Sequence, residues 1–310
     1  MKFLILGAGA IGGYVGGRLA EAGRDVTFLV RDARRAQLAR DGLRIESVYG
    51  DFAGPVTAIG AGDLGPDYDL ILLTCKAYDL GDAIAAITPG VGPDTMVLPI
   101  LNGLGHIPTL NDRLGEDRIL AGTVKISVAR QADGTIRHMN DWRWLNFGEQ
   151  DGGISNRVAA LRDALDGATG LEPVAHENAM QEMWEKMVHL ATAAGMTSLM
   201  RANVGQIVRT DEGAALFRHF LDTTAEVAKR SGHPPSAAFM ENYRSLFADP
   251  DSRYVTSMLR DIEAGTPTEG EHILGMLLTT ARAVGIEDPL LTAAYAGVKA
   301  YEARRRDGGL

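Results

Sequence analysis

Three glycines near the N-terminus are spaced so that the backbone can approach a ligand closely. The segment Gly7-Ala8-Gly9-Ala10-Ile11-Gly12 has the pattern G-x-G-x-x-G and follows the apolar run Phe3–Leu6. In such a loop the first glycine permits a tight turn, the second admits a pyrophosphate, and the third lets helix and strand pack closely. Free N–H groups at the start of the next helix attract phosphate. The pattern predicts a dinucleotide-binding loop, and a glycine-rich turn without a ligand is the alternative. The expected cofactor-binding residues are Gly7, Gly9, Ala10, Ile11 and Gly12.

The residue after the second apolar run favours one nicotinamide dinucleotide over the other. Proteins that bind NAD usually have an acidic residue there, which binds the 2′-hydroxyl of the ribose. This chain has Arg31 instead, and a guanidinium matches a 2′-phosphate in charge and geometry. We therefore expect NADP(H), although Asp32 could serve the hydroxyl. The alternative, that these arginines only solvate the start of a helix, is credible for Arg34 and Arg35 but less so for Arg31.

Two more polar residues follow later apolar runs, where ligands bind in open α/β sheets. Lys76 comes after Leu70–Thr74, and Asn102 comes after Met96–Leu101. We expect Lys76 to reach the substrate or the cofactor and Asn102 to bond the nicotinamide ribose. The alternative for each is an ordinary turn residue, since Asn-Gly is a common turn pair.

Lys186 is the candidate proton donor for the reduction of a carbonyl group. It lies just past the expected domain boundary, on the helix that carries Trp184. A partly desolvated lysine has a lowered pKa and can donate a proton near neutral pH. Periodicity alone favours the alternative, an exposed helical lysine.

The elements that must position these residues alternate between strand and helix up to about residue 170. Such alternation predicts a parallel sheet with right-handed crossovers. The strands are expected at Phe3–Leu6, Val26–Val30, Val56–Ile59, Leu70–Thr74 and Met96–Leu101. Three later runs are expected to extend this sheet in antiparallel fashion: Ile119–Val128, Thr135–Met139 and Trp144–Phe147.

Strand patterns stop after Pro173, and helical periodicity takes over. The expected helices are Glu177–Leu190, Gly213–Arg230, Ala237–Phe247, Tyr254–Ala264, Gly270–Val284 and Leu290–Arg304. The sequence thus predicts an α/β protein with an N-terminal Rossmann-type dinucleotide-binding domain, residues 1–174. An all-helical substrate and catalytic domain is expected at residues 175–310.

Composition sets further bounds on function. A chain of 310 residues suits two domains, and its net charge of −9 disfavours sequence-independent binding to nucleic acid. Cys75 is the single cysteine, which excludes an intrachain disulfide and fits a reducing compartment. No apolar stretch is long enough for a membrane span. We expect a cytoplasmic enzyme with no membrane or nucleic-acid partner, and a homodimer is compatible with the sequence.

The chain resembles the ketopantoate reductase (2-dehydropantoate 2-reductase) family over essentially its full length. The most distinctive part is a Ser-Met-Leu-x-Asp segment followed at a fixed distance by Thr-Glu. The resembling segments are Gly7–Gly12, Leu29-Val30-Arg31, Thr74-Cys75-Lys76-Ala77, Asn102-Gly103, Gly122-Thr123, Trp184-Glu185-Lys186, Thr256-Ser257-Met258-Leu259-Arg260-Asp261 and Thr268-Glu269.

The resemblance implies a role for each matching position. Lys186 matches the general acid, Glu269 the glutamate that orients lysine and substrate, and Ser257 a contact to the substrate carboxylate. Lys76 and Asn102 match residues where cofactor and substrate meet, and Arg31 matches the ligand of the NADP 2′-phosphate. The family uses no metal. The implied reaction is ketopantoate plus NADPH giving pantoate, a step of pantothenate biosynthesis.

This chain departs from the family at two positions. The family typically has asparagines four and eight residues after the catalytic lysine, and here these positions are Leu190 and Ala194. Because both are apolar, reduction of a branched or aromatic 2-oxo acid is an alternative to ketopantoate. The sequence also allows an NAD-linked 2-hydroxyacid dehydrogenase and a non-catalytic NADP-binding redox sensor. The presence of Lys186, Ser257 and Glu269 argues against the sensor.

Overall fold

The computed structural model describes residues 1–309, which divide into two compact units. The first unit comprises Met1–Leu101 and His106–Met180, and the second comprises Asn102–Gly105 and the described residues from Gln181 onward. The strands all lie in the first unit: β1 (Lys2–Leu6), β2 (Asp25–Leu29), β3 (Leu43–Glu46), β4 (Phe52–Gly54), β5 (Thr57–Ile59), β6 (Leu70–Leu73), β7 (Met96–Pro99), β8 (Ala121–Arg130), β9 (Ile136–Gly148) and β10 (Glu172–Ala175).

The helices fall in both units. Those of the first unit are α1 (Ala10–Glu21), α2 (Asp32–Asp41), α3 (Leu80–Ile87), α4 (His106–Leu114) and α5 (Asn156–Leu165). Then follow α6 (Ala179–Met200), α7 (Val204–Val208), α8 (Asp211–Arg230), α9 (Ala237–Leu246), α10 (Ser257–Glu263), α11 (Met276–Ala283) and α12 (Pro289–Arg306). A π-helical turn, Glu271–Gly275, leads directly into α11. Among the described residues, no helix has both the length and the apolar character needed to cross a membrane.

The expected parallel sheet is confirmed, with strand order β5-β2-β1-β6-β7 and all pairs parallel. Its central strands are buried on both faces, which is why their sequences read as unbroken apolar runs such as Leu70–Leu73. The order brings the carboxyl ends of β1, β2 and β6 to one edge. The loops carrying Gly7, Arg31 and Lys76 leave the sheet there.

The expected antiparallel extension of this sheet is wrong. β8 and β9 pair antiparallel with each other, but they belong to a second sheet of order β10-β9-β3-β4. Pairing between the sheets is limited, within residues 1–309, to an isolated bridge from Val97 to Ile119. The physical reason lies in α1, whose glycines leave room for both sheets. A Cβ at Gly16 would strike Phe28 of the first sheet, and a Cβ at Gly13 would strike Ile136 of the second.

The remaining differences from the sequence prediction are smaller. The sequence patterns did not indicate β3, β4 or α5, and β10 continues past Pro173 to Ala175. The helix expected at Glu177–Leu190 runs on to Met200, and the single helix expected at Gly270–Val284 is the π turn followed by α11.

Buried hydrogen bonds connect α1 to the second sheet and to the loops beside it. The Tyr14 hydroxyl donates to the Gly170 carbonyl at 2.8 Å, and His138 Nε2 donates to the Trp142 carbonyl at 2.7 Å. His138 Nδ1 therefore accepts in the neutral ring, and the Ser47 hydroxyl lies 3.0 Å from it. Burial lowers the pKa of His138, although the Trp142 carbonyl acts in the opposite direction.

Candidate functional site

The glycine loop between β1 and α1 has the shape that its sequence predicts. Gly7 has a φ of +90°, a conformation that L side chains rarely adopt. Its N–H donates to the Leu29 carbonyl at 2.9 Å, which fixes the turn to the neighbouring strand. The chain reverses here within two residues and enters α1 at Ala10.

Gly12 is required by close packing rather than by φ. A Cβ there would lie 2.2 Å from the Gly7 carbonyl oxygen and 2.4 Å from Thr74 Oγ1. The Thr74 hydroxyl is itself held, since it donates to the Leu6 carbonyl at 2.8 Å. Helix α1 can approach the ends of β1 and β6 only because position 12 has no side chain.

Gly9 differs from both. Its φ of −79° suits any residue, and a Cβ there would meet no described protein atom within 4 Å. It is exposed, and it precedes a 12-residue helix with no acidic residue in its first turn. The protein itself therefore has no need of glycine here, but a phosphate group approaching the backbone would. This open cradle beside the positive end of a helix fits a dinucleotide pyrophosphate.

The arginines after β2 have different surroundings. Arg31 is exposed and is the N-cap residue of α2. Asp32, the acid that could have served a ribose hydroxyl, forms an ion pair of 3.0 Å with Arg35. Arg35 also reaches Asp63 at 3.3 Å. Asp32 is thus already paired, whereas Arg31 stands at the strand end.

Lys76 is exposed at the end of the β6 loop, where it caps a short 3₁₀ turn, Ala77–Asp79. Cys75 beside it is half-buried. The structure therefore places Lys76 at the same sheet edge as Gly7 and Arg31, within the first unit.

The second unit brings together two of the expected site residues. The Asn102 amide donates to Glu269 Oε2 at 3.1 Å, and Glu269 is only 4% exposed. Gly103 makes this contact possible, since its φ is +84° and a Cβ would lie 2.5 Å from the His272 carbonyl oxygen. The Asn-Gly pair is therefore a turn and also a partner of the buried carboxylate.

Thr268, the residue before Glu269, is fixed by two hydrogen bonds to α12. Glu302 accepts both the Thr268 N–H, at 2.7 Å, and the Thr268 hydroxyl, at 2.8 Å. Burial would raise the pKa of Glu302, but these hydrogen bonds outweigh it and the pKa is lowered. A Cβ at Gly270 would strike Val298 of α12 at 2.2 Å. Glu269 is thus presented at the start of the π turn, an element often found at functional sites.

Ser257 is the first residue of α10, and its position is set by the preceding residue. The Thr256 hydroxyl accepts the Leu259 N–H at 3.2 Å and lies 2.9 Å from the Thr197 hydroxyl of α6. Both threonines are buried. This contact fixes the start of α10 against the helix that carries Lys186.

Lys186 is half-buried on α6, and its near neighbours in sequence, Trp184 and Met187, are buried. One turn further on, Leu190 is half-buried, and Ala194 is fully buried. At the two positions where the family has asparagines, this chain therefore has apolar side chains, one half-buried and one fully buried.

An aromatic cluster surrounds His189, and the sequence patterns did not indicate it as part of the site. The His189 ring stacks on Tyr243 at 4.5 Å, with Tyr254 at 5.8 Å and Phe247 at 6.0 Å. His189 Nε2 also lies 3.1 Å from the Tyr254 hydroxyl. Burial raises the pKa of both tyrosines to about 12. Tyr243 and Phe247 share one face at the end of α9, but nothing in the pattern relates them to His189.

Comparison with known proteins agrees with this arrangement. The family model described as ketopantoate reductase PanE/ApbA matches residues 3–152, and the corresponding C-terminal model matches residues 178–302. The uncharacterized oxidoreductase YkpB of Bacillus subtilis (strain 168) is 34% identical over 305 residues, covering 98% of this chain and 100% of YkpB. A 2-dehydropantoate 2-reductase of Nostoc sp. is 28% identical over 315 residues, covering 100% of this chain and 98% of the relative.

A solved structure agrees as well. The crystal structure of 2-dehydropantoate 2-reductase from Methylococcus capsulatus has a TM-score of 0.86 and 31% identity, and the match covers 98% of both chains. The N-terminal Rossmann-type domain and the helical C-terminal domain are thereby confirmed. The chain belongs to the ketopantoate reductase family and is an NAD(P)H-dependent oxidoreductase, as its sequence predicted.

Proposed function

We propose that this protein reduces a 2-oxo acid to a 2-hydroxy acid with NADPH, and that its substrate is ketopantoate, which gives pantoate. The observation that carries the proposal is the buried Glu269 carboxylate held by Asn102. These residues are 167 positions apart, and both match substrate-side positions of the family. Burying a carboxylate is unfavourable, and an apolar residue would serve a purely structural role with a smaller penalty.

The choice of NADP(H) within this proposal rests on Arg31. Its guanidinium stands at the strand end where NAD-binding proteins carry an acid, and the neighbouring Asp32 is paired with Arg35. Arg31 would bind the 2′-phosphate, while Gly7, Gly9 and Gly12 would admit the pyrophosphate to the start of α1.

The residues of the second unit supply the proton and the orientation. When bound, NADPH supplies a hydride for the carbonyl carbon of the substrate. Lys186 donates a proton to the carbonyl oxygen, so that the C=O group becomes CH–OH. Ser257 binds the carboxylate, and Glu269 orients the lysine and the substrate. Asn102 would hold the Glu269 carboxylate in place, and Lys76 of the first unit would contact the cofactor, as the family resemblance implies.

A second substrate class is favoured by a specific observation: position 190 is apolar and half-buried, and position 194 is apolar and buried. Ketopantoate carries a hydroxymethyl group, and burying a hydroxyl without a partner costs about 1–3 kcal/mol. Leu190 and Ala194 offer no such partner, and α6 also carries His189, whose ring stacks on Tyr243. A 2-oxo acid with a branched or aromatic apolar side chain is therefore the second candidate.

The two candidates separate in one experiment. We would measure kcat/KM for ketopantoate beside its analogue with methyl in place of hydroxymethyl. A preference of about a hundredfold or more supports ketopantoate, because a site built for a hydroxyl discriminates strongly against its absence. A ratio near one, rising in the double variant Leu190→Asn/Ala194→Asn, supports the apolar substrate. Circular dichroism of the double variant would check that the buried Asn at position 194 is tolerated.

A cytoplasmic location and a homodimeric state belong to the same proposal. The first is supported by the single cysteine, Cys75, because a chain that can form no internal disulfide suits a reducing compartment. Fractionation of the native cells, and sedimentation of the purified protein, would test them separately.

A further inference from the structure

Arg34 turns inward to the glycine loop, so the alternative that it only solvates the start of α2 does not hold. Its Nε donates to the Ala8 carbonyl at 3.0 Å, and its Nη1 donates to Gln37 Oε1 at 2.8 Å. Its Nη2 reaches the Gly134 carbonyl at 3.3 Å. One planar guanidinium therefore joins the loop between β1 and α1, the helix α2 and the turn between β8 and β9.

The turn between β8 and β9 is shaped to receive this side chain. Gly134 has a φ of +91°, and a Cβ there would lie 2.7 Å from Arg34 Nη1 and 2.3 Å from Gln37 Nε2. Gln37 Nε2 in turn donates to the Asp133 carbonyl at 2.7 Å. Arg34 is thus packed from two sides, and its three bonds require the fork geometry that lysine lacks.

The electrostatic surroundings of Arg34 are unusual for a structural arginine. The three oxygens that accept its hydrogen bonds belong to two backbone carbonyls and one side-chain amide, which carry no net charge. Burial lowers the pKa of Arg34, and the positive charge of Arg130 lowers it further. A half-buried cation beside another cation gains from a nearby anion, and the neighbouring loop is the one expected to hold phosphates.

We propose that Arg34 is a positioning residue for the cofactor: it holds the Ala8 carbonyl, fixes the glycine loop and adds positive charge beside it. The inference rests on the proposed function only in the identity of the ligand. The role proposed for Arg34 differs from that of Arg31 in which dinucleotides it affects. Arg31 would read the 2′-phosphate that only NADP(H) has, whereas Arg34 supports the loop that meets the pyrophosphate of both dinucleotides.

The test compares dinucleotide affinities of variants with those of the wild-type protein by calorimetry. Arg34→Ala should weaken NADPH and NADH to a similar extent, roughly ten- to a hundredfold, the usual range for a bond to a charged group. Arg34→Lys keeps the charge but not the fork, and should recover only part of the loss. Arg40→Ala is the matched control, since Arg40 lies on the same helix and pairs with Asp41 rather than with the glycine loop.

A second measurement needs no cofactor and no turnover. The Gly13 N–H donates to the Gly9 carbonyl at 3.0 Å in the first turn of α1. Its hydrogen exchange in the free protein should be faster in Arg34→Ala and Arg34→Lys, and unchanged in Arg40→Ala. Unchanged exchange, or a loss confined to NADPH, would overturn the positioning role, and the latter would make Arg34 a ligand of the 2′-phosphate. A wild-type protein that binds NADPH but reduces no 2-oxo acid would refute the proposed function and leave this inference standing.

Discussion

Alanine at position 9 should separate cofactor binding from folding. The backbone there has φ −79° and ψ −156°, which alanine adopts freely, and its methyl group would meet no described protein atom within 4 Å. Replacing glycine stiffens the unfolded chain and stabilises the fold by about 0.4–1 kcal/mol. Gly9 is also the N-cap residue of α1, where alanine is less favourable than glycine by roughly 0.5–1 kcal/mol. The two effects nearly cancel, so the free energy of unfolding should change by less than about 1 kcal/mol.

The effect on the cofactor should be large by comparison. The methyl group would occupy the space in which the pyrophosphate meets the backbone, and the loss of one charge-assisted contact costs about 1.5–3 kcal/mol. We expect the Kd for NADPH to rise roughly ten- to a hundredfold, measured by calorimetry, while a thermal melt shifts by no more than about 4 °C.

Gly12→Ala is the matched control in the same loop. Its Cβ would lie 2.2 Å from a backbone carbonyl that cannot move aside, so this variant should lose about 3 kcal/mol or more of stability. An unchanged Kd in Gly9→Ala would refute the assignment of the loop. A Kd that rises in Gly9→Ala only in proportion to a loss of folded protein would also refute this assignment.

Three further predictions concern single side chains. Lys186→Ala should lower kcat by about 10²–10⁴ with NADPH affinity nearly unchanged, in steady-state and binding assays, and wild-type turnover would remove the lysine from the mechanism. Arg31→Ala should weaken NADPH roughly ten- to a hundredfold and NADH little, and equal losses would contradict the 2′-phosphate assignment. His138 is buried in its neutral form with a pKa below the usual 6.5, so its stabilising contribution is full above about pH 6.5 and falls as the pH falls towards the folded-state pKa. The free energy of unfolding, measured with urea at pH 7 and pH 5.5, should change less with pH in His138→Asn than in the wild-type protein. The variant leaves the charged neighbours Arg18 and Asp141 in place, so an equal change in both proteins would exclude His138 as the source.

The parts of the fold that were predictable from the sequence are those with local signals. The glycine loop combines a fixed spacing with an apolar strand and a helix, and β6 reads as a strand because it is buried on both faces. The second sheet depends on pairings between distant segments, such as Ile45 with Ile136, and β3 and β4 are too short to show a period. No local rule could therefore place β8 and β9 in a separate sheet.

In the site, too, the residues with local sequence signals were predictable and the long-range contacts were not. Glu269 and Asn102 became candidates through the family pattern, because nothing in either segment indicates a hydrogen bond between them. The sequence left open whether Arg34 only solvates a helix start, and it could not settle the matter for a physical reason: the inward turn of the side chain depends on Gly134, which lies 100 positions away. Long-range contacts that satisfy buried polar groups leave little trace in a single sequence.

The central claim is that the chain uses NADPH to reduce a 2-oxo acid. The most direct test is the loss of NADPH absorbance with a panel of 2-oxo acids that includes ketopantoate and its methyl analogue, with Lys186→Ala as the control and the product identified by mass spectrometry. We predict that at least one acid is converted to its 2-hydroxy acid with one NADPH consumed for each product formed, and that Lys186→Ala slows this at least about a hundredfold. Binding of NADPH without turnover of any acid in the panel would contradict the claim.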